Sequence, residues 1–296
     1  MKDGLVVVDK PGGCTSHDVV AKLRKVYGQR RVGHAGTLDP DATGVLLVGL
    51  GRATRLLRFL QEAGKSYRGR IVFGIATSTL DAAGEIVEQQ PMPLAQDDIE
   101  AAVTRFVGEI EQLPPMVSAV KVGGRRLHQL ARAGEDVERA PRRVRVDRFE
   151  VEDFESGPYP SVTVFVECGS GTYIRALAAD LGVALGGCAH LASLRRLSVG
   201  SFTLAEAREL DDVVAQPDRA VISLAHAMRD LERVDVDDEQ VRAASHGIAF
   251  PIGSLGERGP GPFALVGPGD ELVAVYERRG AACKPAVVIA SSGTES

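Results

Sequence analysis

The residues best suited to chemistry lie in one short stretch, residues 31–44, with the sequence RVGHAGTLDPDATG. It combines a histidine and an aspartate with three glycines and a proline. Glycine permits positive φ or close backbone approach, and Pro40 fixes its own φ and keeps Asp39 out of the helical region. Such a loop can hold the Asp39 carboxylate in a fixed, partly desolvated pose. The alternative is a structural turn in which Asp39 and Thr37 only cap backbone groups.

A basic segment follows at residues 52–60, so an anionic ligand can lie across this surface with Asp39 at its centre. The whole chain carries a net charge of −5, yet residues 1–70 hold 13 Lys and Arg against 6 Asp and Glu. A second basic block, residues 121–148, holds 9 Lys and Arg against 4 Asp and Glu. A basic face, more than the total charge, governs contact with phosphates. The distribution fits a polyanion bound at one face, and it fits solvated helix and loop surfaces equally well.

The composition is that of a globular protein and excludes several other classes. A chain of 296 residues, 44% hydrophobic and 25% charged, can form one large core or two modest ones. No apolar run approaches the ~20 residues that span a bilayer, and the first residues lack signal-peptide character. The 4 cysteines and 6 histidines show no metal-ligand spacing. We therefore predict a cytoplasmic protein with reduced thiols, no metal and no nucleotide-cofactor fingerprint.

Periodicity and capping signals predict an α+β chain. We predict one helix that Ser16 caps and that ends near Tyr27, and another that Thr172 caps and that ends near Gly186. Two further helices are predicted at residues 52–63 and 97–106, and a helix-like segment at 204–214. Strands are predicted at residues 5–8 and 65–74, and two more around 144–146 and 162–166 are joined by an acidic turn at 150–155. Nearer the C-terminus we predict a strand at 247–252, a hairpin of 263–266 with 272–276, and a strand at 285–289. The strands from residue 247 onward form a small β-rich appendage.

The stretch around Asp39 resembles the central motif of the TruB family of tRNA pseudouridine synthases. The resemblance rests on GHAGTLDP at residues 33–40 and ATGVL at residues 42–46. Further strings stand in family order over about residues 4–202: KP at 10–11, KSY at 65–67, TSTLDAAG at 77–84, PPMVSAVK at 114–121, GTYIR at 171–175 and RRL at 195–197. The resemblance implies an isomerase that converts uridine 55 in the T-loop of tRNA to pseudouridine.

Three catalytic residues are implied by the resemblance. Asp39 is the nucleophile, at C1′ of the ribose or at C6 of the base. Arg175 pairs with Asp39 and keeps it ionised, a role that suits the fixed fork of a guanidinium. Tyr67 stacks on the target base, lies against the catalytic carboxylate and is a candidate for proton transfer. Without the resemblance, Tyr67 is an ordinary strand aromatic, and the glycines before Tyr173 are a weak phosphate-loop signal.

The resemblance also implies a set of residues around the substrate. His34 fills the space that the flipped base vacates, Tyr173 lines the uridine pocket and Leu197 contacts the base. Lys10 supports the catalytic loop, and Asp81 belongs to the hydrogen-bond network of the active site. The last member of the set is Lys121, in the segment that closes over the RNA stem-loop.

The fold implied is the pseudouridine-synthase fold, α+β, with a long, mainly antiparallel sheet flanked by helices. Residues 1–232 are expected to form the catalytic domain, with an RNA-clasping insertion at about 115–148. Residues 233–290 are expected to form a PUA-like RNA-binding domain, and residues 291–296 a tail. The implied enzyme needs no cofactor, acts on the T-arm of tRNA and is a monomer.

Two other functions remain open at this point. One is a tRNA-binding folding chaperone with little or no catalysis, although such a protein has no need of Asp39, Tyr67 and Arg175 together. The other is the related synthase of guide-RNA particles, which usually has a long basic tail that this chain lacks.

Overall fold

A computed structural model describes residues 1–116 and 139–289, together with the backbone of residues 121–122 and 125–126. The helices are α1 (Ser16–Val26), α2 (Leu57–Glu62), α3 (Gln96–Val103), α4 (Ile174–Ala184), α5 (Leu210–Ala215), α6 (Leu224–Ala227) and α7 (Asp238–Ser245), with 3-10 helices at Gly51–Arg55, Thr104–Phe106 and Pro217–Ala220. The strands are β1 (Gly4–Lys10), β2 (Val32–Ala35), β3 (Thr43–Leu50), β4 (Lys65–Phe73), β5 (Ile75–Thr77), β6 (Ile86–Gln89), β7 (Gly108–Gln112), β8 (Lys121–Val122), β9 (Arg125–Arg126), β10 (Arg142–Glu155), β11 (Ser161–Cys168), β12 (Ala189–Val199), β13 (Phe202–Thr203), β14 (Arg208–Glu209), β15 (Val221–Ile222), β16 (Glu232–Asp235), β17 (Phe250–Pro251), β18 (Phe263–Val266), β19 (Leu272–Arg279) and β20 (Ala282–Val288).

A long sheet runs through the N-terminal three quarters of the chain in the order β14-β1-β3-β12-β4-β11-β10-β7. Most neighbours are antiparallel, while β1 with β14 and β3 with β12 are parallel. The prediction of a mainly antiparallel sheet is therefore confirmed. The centre of the sheet brings β3, β12 and β4 side by side, so that residues from distant parts of the chain meet at one end of these strands.

The central strands are buried on both faces, which explains their continuous apolar runs. In β1, Leu5 and Val7 face one hydrophobic core while Val6 and Val8 face another. Helices α1 and α5 cover the second of these cores. Helices α3 and α4 cover a third core beside β4 and β11, where their apolar faces meet the alternate residues of both strands.

The C-terminal strands form a separate sheet in the order β16-β18-β19-β20-β17. This small sheet is fastened to the rest of the chain, because Val275 and Val287 share a core with Leu56 and Leu57. Arg52 Nη1 also donates to the carbonyl oxygen of Ile289 at 3.0 Å. The hairpin of β18 and β19 confirms the one predicted, and β16 begins at Glu232, within one residue of the predicted domain boundary.

Several predicted helices are shorter than expected. The segment 52–63 is a 3-10 helix followed by α2, and the segment 97–106 ends as an α-helix at Val103. Thr104 explains the second case, since its hydroxyl donates to the carbonyl oxygen of Ala101 at 2.7 Å and the chain tightens there into a 3-10 turn. The helix-like segment 204–214 is a turn and a short strand before α5, and in 247–252 only Phe250–Pro251 is a strand.

The acidic turn predicted at residues 150–155 is wrong, because these residues continue β10 and pair with β11. Their carboxylates are exposed along the sheet and meet arginines of β4, as when Glu152 accepts from Arg68 Nε at 2.6 Å. Residues 142–148, which we assigned to the insertion, also belong to β10 and pair in part with β7. Within the described residues, no helix is both long and apolar enough to cross a membrane.

Candidate active site

A cavity of about 390 Å³ opens at the end of the central strands. Its wall comes from β2 and the loop after it, from α2 and the start of β4, from the first residues of α4 and the loop before it, and from β12. The side chains that matter to the chemistry of this cavity are those of His34, Asp39, Lys65, Tyr67, Tyr173, Arg175, Leu194 and Arg196.

The loop that carries Asp39 is held by residues far away in the chain. The Ser16 hydroxyl donates to the carbonyl oxygen of Leu38 at 3.1 Å and accepts from the Leu38 N–H at 2.9 Å. Our prediction that Ser16 caps α1 is therefore wrong: Thr15 caps it, through a capping box with Asp18. The neighbouring Ser16 is thus free to fix the loop that carries Asp39.

Asp39 shares one arginine with a second carboxylate. Arg175 Nε lies 3.0 Å from Asp39 Oδ2, and Arg175 Nη2 donates to Asp39 Oδ1 at 3.2 Å, so the contact is bidentate. Arg175 Nη1 also lies 3.2 Å from Asp81 Oδ2 and donates to the carbonyl oxygen of Thr79 at 3.0 Å. The Arg175 side chain is 6% exposed and that of Asp39 is 40% exposed, so the ion pair faces the cavity with the carboxylate outward.

The surroundings of Asp39 act on its pKa in opposite directions. Burial raises the pKa of the Asp39 carboxyl above its usual value, and the charge of Asp81 adds to this rise. The positive charge of Arg175 lowers the pKa of Asp39 and opposes the effect of burial. A carboxylate that is partly stripped of water but still ionised is a better nucleophile or base than one in bulk water.

Tyr67 lines the cavity from β4, with its side chain buried. It lies opposite Arg196 of β12 and Val166 of β11 in the sheet register. Burial raises the pKa of the Tyr67 hydroxyl, while the charge and hydrogen bond of Arg196 lower it. The hydroxyl is accordingly neutral at neutral pH and is oriented by a guanidinium.

His34 and Tyr173 also line the cavity, and both are partly buried. Burial, followed by the charge of Arg196, lowers the pKa of His34, so its imidazole is neutral at pH 7. Its buried Nδ1 has no hydrogen-bond partner within the described part of the chain. The backbone of Tyr173 is pinned by Gln112, whose Oε1 accepts from the Tyr173 N–H at 3.0 Å. Thr172 does not cap α4 as predicted, because its hydroxyl donates to the carbonyl oxygen of Gly169.

Comparisons with known proteins identify the family of this chain. The family model "TruB family pseudouridylate synthase (N terminal domain)" matches residues 24–174, about half of the chain. This chain belongs to the TruB family of pseudouridylate synthases. A second model, "tRNA pseudouridylate synthase B C-terminal domain", matches residues 175–234.

TruB relatives match over nearly the whole length. The chain is 46% identical over 290 residues to tRNA pseudouridine synthase B of Rhodococcus jostii, covering 97% of this chain and 93% of the relative. It is 44% identical to the enzyme of that name from Thermobifida fusca, covering 99% and 100%. Among solved structures, a Cbf5-Nop10-Gar1 complex matches with a TM-score of 0.75 at 30% identity, covering 97% of this chain and 85% of that one.

Two residues predicted to surround the substrate lie behind the wall of the TruB site. Lys10 is fully buried, and its ammonium donates to the carbonyl oxygens of Pro11, Cys14 and Pro40 at 2.8, 2.6 and 2.9 Å. Asp81 contacts Arg175 but does not line the cavity. Lys10 therefore ties the first turn of the chain to the residue after Asp39, and Asp81 positions Arg175.

Replacing Lys10 with Met is expected to lower the free energy of unfolding by about 2–4 kcal/mol, because three carbonyl oxygens lose a charged donor. Urea denaturation measures the change. Lys22→Met is the matched control, since Lys22 forms only an exposed ion pair with Asp211 and its loss costs about 0.5 kcal/mol or less. Equal stability of the two variants would contradict the role that we give to Lys10.

The structure does not place Leu197 in the TruB cavity. Alternate residues of a strand share a face, and it is Leu194 and Arg196 of β12 that line the cavity. An irregularity in the pairing of β12 with β4 falls between Arg196 and Ser198. Leu194 thus lines the cavity where we expected Leu197, and a contact of either leucine with the base stays a prediction. Sequence reasoning also missed Lys65 and Arg196, although Lys65 stands two residues before Tyr67 and so shares its face.

Lys121 remains a prediction. Its backbone belongs to β8, which pairs with β9, but its side chain lies outside the described residues.

Proposed function

We propose that this chain is a tRNA pseudouridine synthase that isomerises uridine 55 of the T-loop. The observation that carries the proposal is the Asp39–Arg175 ion pair, which presents a carboxylate to a cavity of about 390 Å³ that Tyr67 and Tyr173 line. The match with bacterial enzymes named tRNA pseudouridine synthase B over nearly the full length supports the choice of tRNA.

The reaction needs no group beyond the side chains of the cavity. The C1′–N1 bond of the uridine breaks and its electron pair leaves with the base. The base turns, C5 bonds to C1′, the proton on C5 is lost, and N1 gains a proton. Asp39 either bonds to C1′ as N1 leaves and is displaced when C5 bonds there, or it adds to C6 and is eliminated after the base has turned. Arg175 keeps the carboxylate ionised and oriented. Tyr67 packs against the base and restricts it during the turn.

The target uridine must leave the loop to reach Asp39, because the carboxylate faces a recess in the protein. Unstacking a base costs a few kcal/mol, which contacts within a fitted pocket can offset. In this proposal His34, in the cavity wall, takes up the vacated space. A folded stem-loop is recognised largely by shape and phosphate contact, to which the basic N-terminal seventy residues are suited.

The rest of the assignment follows from the same proposal. The enzyme acts as a cytoplasmic monomer on the T-arm of tRNA, and the small C-terminal sheet is a PUA-like module that touches RNA. Higher identity to the bacterial tRNA enzymes, 46% against 30% for the Cbf5 complex, favours tRNA over a guide-RNA particle.

A T-arm stem-loop with tritium on C5 of uridine 55 tests the proposal. The wild-type protein is expected to release one tritium per RNA as C5 bonds to C1′. A stem-loop with cytidine at position 55 and labelled uridines elsewhere is the control, and it should release none. Tight binding of the first RNA without release would instead support the tRNA-folding chaperone.

A further inference from the structure

The cavity wall includes two buried cations, Lys65 and Arg196, which are 8% and 1% exposed. Both approach the same glycine: a Cβ built on Gly36 would lie 3.5 Å from Arg196 Nη1 and 3.9 Å from Lys65 Cε. Tyr67 follows Lys65 by two residues on β4, so both side chains lie on the same face of the strand. Tyr67 also lies opposite Arg196 on β12. The two cations therefore form one positively charged patch beside the tyrosine.

Only neutral groups satisfy these cations. Lys65 Nζ donates to the carbonyl oxygens of Gln61 and Ala63, each at 2.6 Å. Arg196 donates from Nε to Val45 O at 2.7 Å and from Nη2 to Gly36 O at 3.1 Å. Neither forms an ion pair with a carboxylate anywhere in residues 1–116 or 139–289.

Two other arginines close to this patch do form ion pairs with carboxylates. Arg195, the preceding residue on the other face of β12, pairs with Asp9 at 2.6 Å, and Arg175 pairs with two carboxylates. Buried charges are normally paired, because taking an ion out of water costs several kcal/mol. Keeping two adjacent cations without a counter-ion is costly for the free protein, so the arrangement indicates a negative charge that arrives with the substrate or develops on it.

We propose that Lys65 and Arg196 stabilise the negative charge that develops on the uracil ring when the glycosidic bond breaks. The inference rests on the proposed isomerase function. When C1′–N1 cleaves, the electron pair goes to N1 and is delocalised over N1 and the two carbonyl oxygens. It is later returned from C5 to C1′, so the anion is transient and no external acid or base is consumed. Preorganised charge beside such an anion lowers the barrier.

The position of the cations favours the base over a phosphate as the negative group. Both side chains are nearly inaccessible and lie beside Tyr67 and Leu194, the residues that form the walls for a flat ring. Asp39 is at the more exposed part of the cavity, where the ribose must be for attack at C1′. A phosphate bonded to that ribose stays further out still.

The first test compares Lys65→Met with the matched control Lys22→Met in single-turnover tritium release. We expect Lys65→Met to be slower by on the order of 100-fold, with unchanged affinity for the stem-loop. The loss of rate should be smaller when uridine 55 is replaced by 4-thiouridine. The sulfur stabilises negative charge on the ring, so the reaction depends less on the charge of Lys65. Lys22→Met should match the wild type with both RNAs.

The second test uses Lys65→Arg, which keeps the charge and does not depend on the folding of the neutral variant. Burial, and then the charge of Arg196, lowers the pKa of Lys65 to about 8, while Cys168 on β11 has the opposite, smaller effect. Tyr67 and Cys168 are the other titratable groups beside it, and burial keeps both neutral in this range. The wild-type rate should therefore fall above about pH 8, and Lys65→Arg should remove that fall with the same RNA.

Each outcome decides the point. Slower chemistry with a smaller loss on 4-thiouridine supports the proposal. Equal losses on both RNAs, weaker RNA binding at an unchanged rate, or an alkaline fall that persists in Lys65→Arg would overturn it. A wild-type protein that releases no tritium would instead refute the isomerase function itself, so the two failures are distinguishable.

Discussion

Replacing Asp39 with Asn is expected to abolish pseudouridine formation while RNA binding is retained. The amide has the shape of the carboxylate but can neither attack a carbon nor accept a proton. Loss of a nucleophile in comparable sites reduces the rate by at least about 10⁴-fold. Tritium release from a T-arm stem-loop over a long time course measures the loss, and filter binding measures the affinity.

The fold should survive this change. Arg175 keeps Asp81 as a carboxylate partner at 3.2 Å, so no buried charge is left alone. Asp41→Asn is the matched control, because Asp41 is an exposed carboxylate two residues further along the same loop. We expect near-wild-type release from that control. Release by Asp39→Asn within about 100-fold of the wild type would show that another group performs the chemistry.

Replacing Arg175 with Gln is expected to reduce the rate by on the order of 10²- to 10³-fold and to move the acidic limb of the pH profile upward. The guanidinium holds Asp39 by two contacts, at 3.0 and 3.2 Å, and separates it from the charge of Asp81. Without the guanidinium, the Asp39 carboxylate loses both its fixed orientation and the positive charge that stabilises its ionised form.

The direction of the pH effect follows from the forces on Asp39. Burial and Asp81 raise the pKa of the Asp39 carboxyl, and Arg175 lowers it. Activity requires the ionised form and is lost as the pH falls through this pKa. Removing Arg175 leaves the raising influences opposed by the smaller effect of Lys10, so activity is lost at a higher pH than in the wild type.

Arg175→Lys separates charge from geometry. It keeps a cation near Asp39 but not the rigid fork, so the rate should fall while the acidic limb stays close to that of the wild type. Single-turnover rates between pH 4 and 8, with melting temperatures to confirm folding, provide the comparison. An unmoved acidic limb in a folded Arg175→Gln variant would contradict the electrostatic role of Arg175.

Local sequence predicted much of the secondary structure because local interactions produce it. The hairpin of β18 and β19 and the helix that begins after Thr15 depend on neighbours close in sequence, and the run at 5–8 is recognisable because a strand buried on both faces is apolar throughout. The errors arose where a distant partner decided the outcome. Residues 150–155 looked like an acidic turn, but arginines of β4 give those carboxylates partners on a continuous strand.

Motif resemblance identified the residues of the candidate site, but not all of their positions. It named Leu197, whereas the register of β12 turns Leu194 and Arg196 toward the cavity. It named Lys10 as a support without indicating that three carbonyl oxygens enclose its ammonium. Side-chain direction depends on strand pairing and on irregularities in it, which a motif does not encode.

The sequence by itself determined the family, the turn that carries Asp39 and the identity of its partner Arg175. Only the tertiary structure decided that these residues, 136 positions apart, meet at hydrogen-bonding distance with Asp81 as a third member. Only the tertiary structure brought Lys65 and Arg196 together with no carboxylate partner among residues 1–116 and 139–289. The physical reason is that pairing, burial and electrostatic balance depend on which strands lie side by side, and β3, β12 and β4 are neighbours only in the folded sheet.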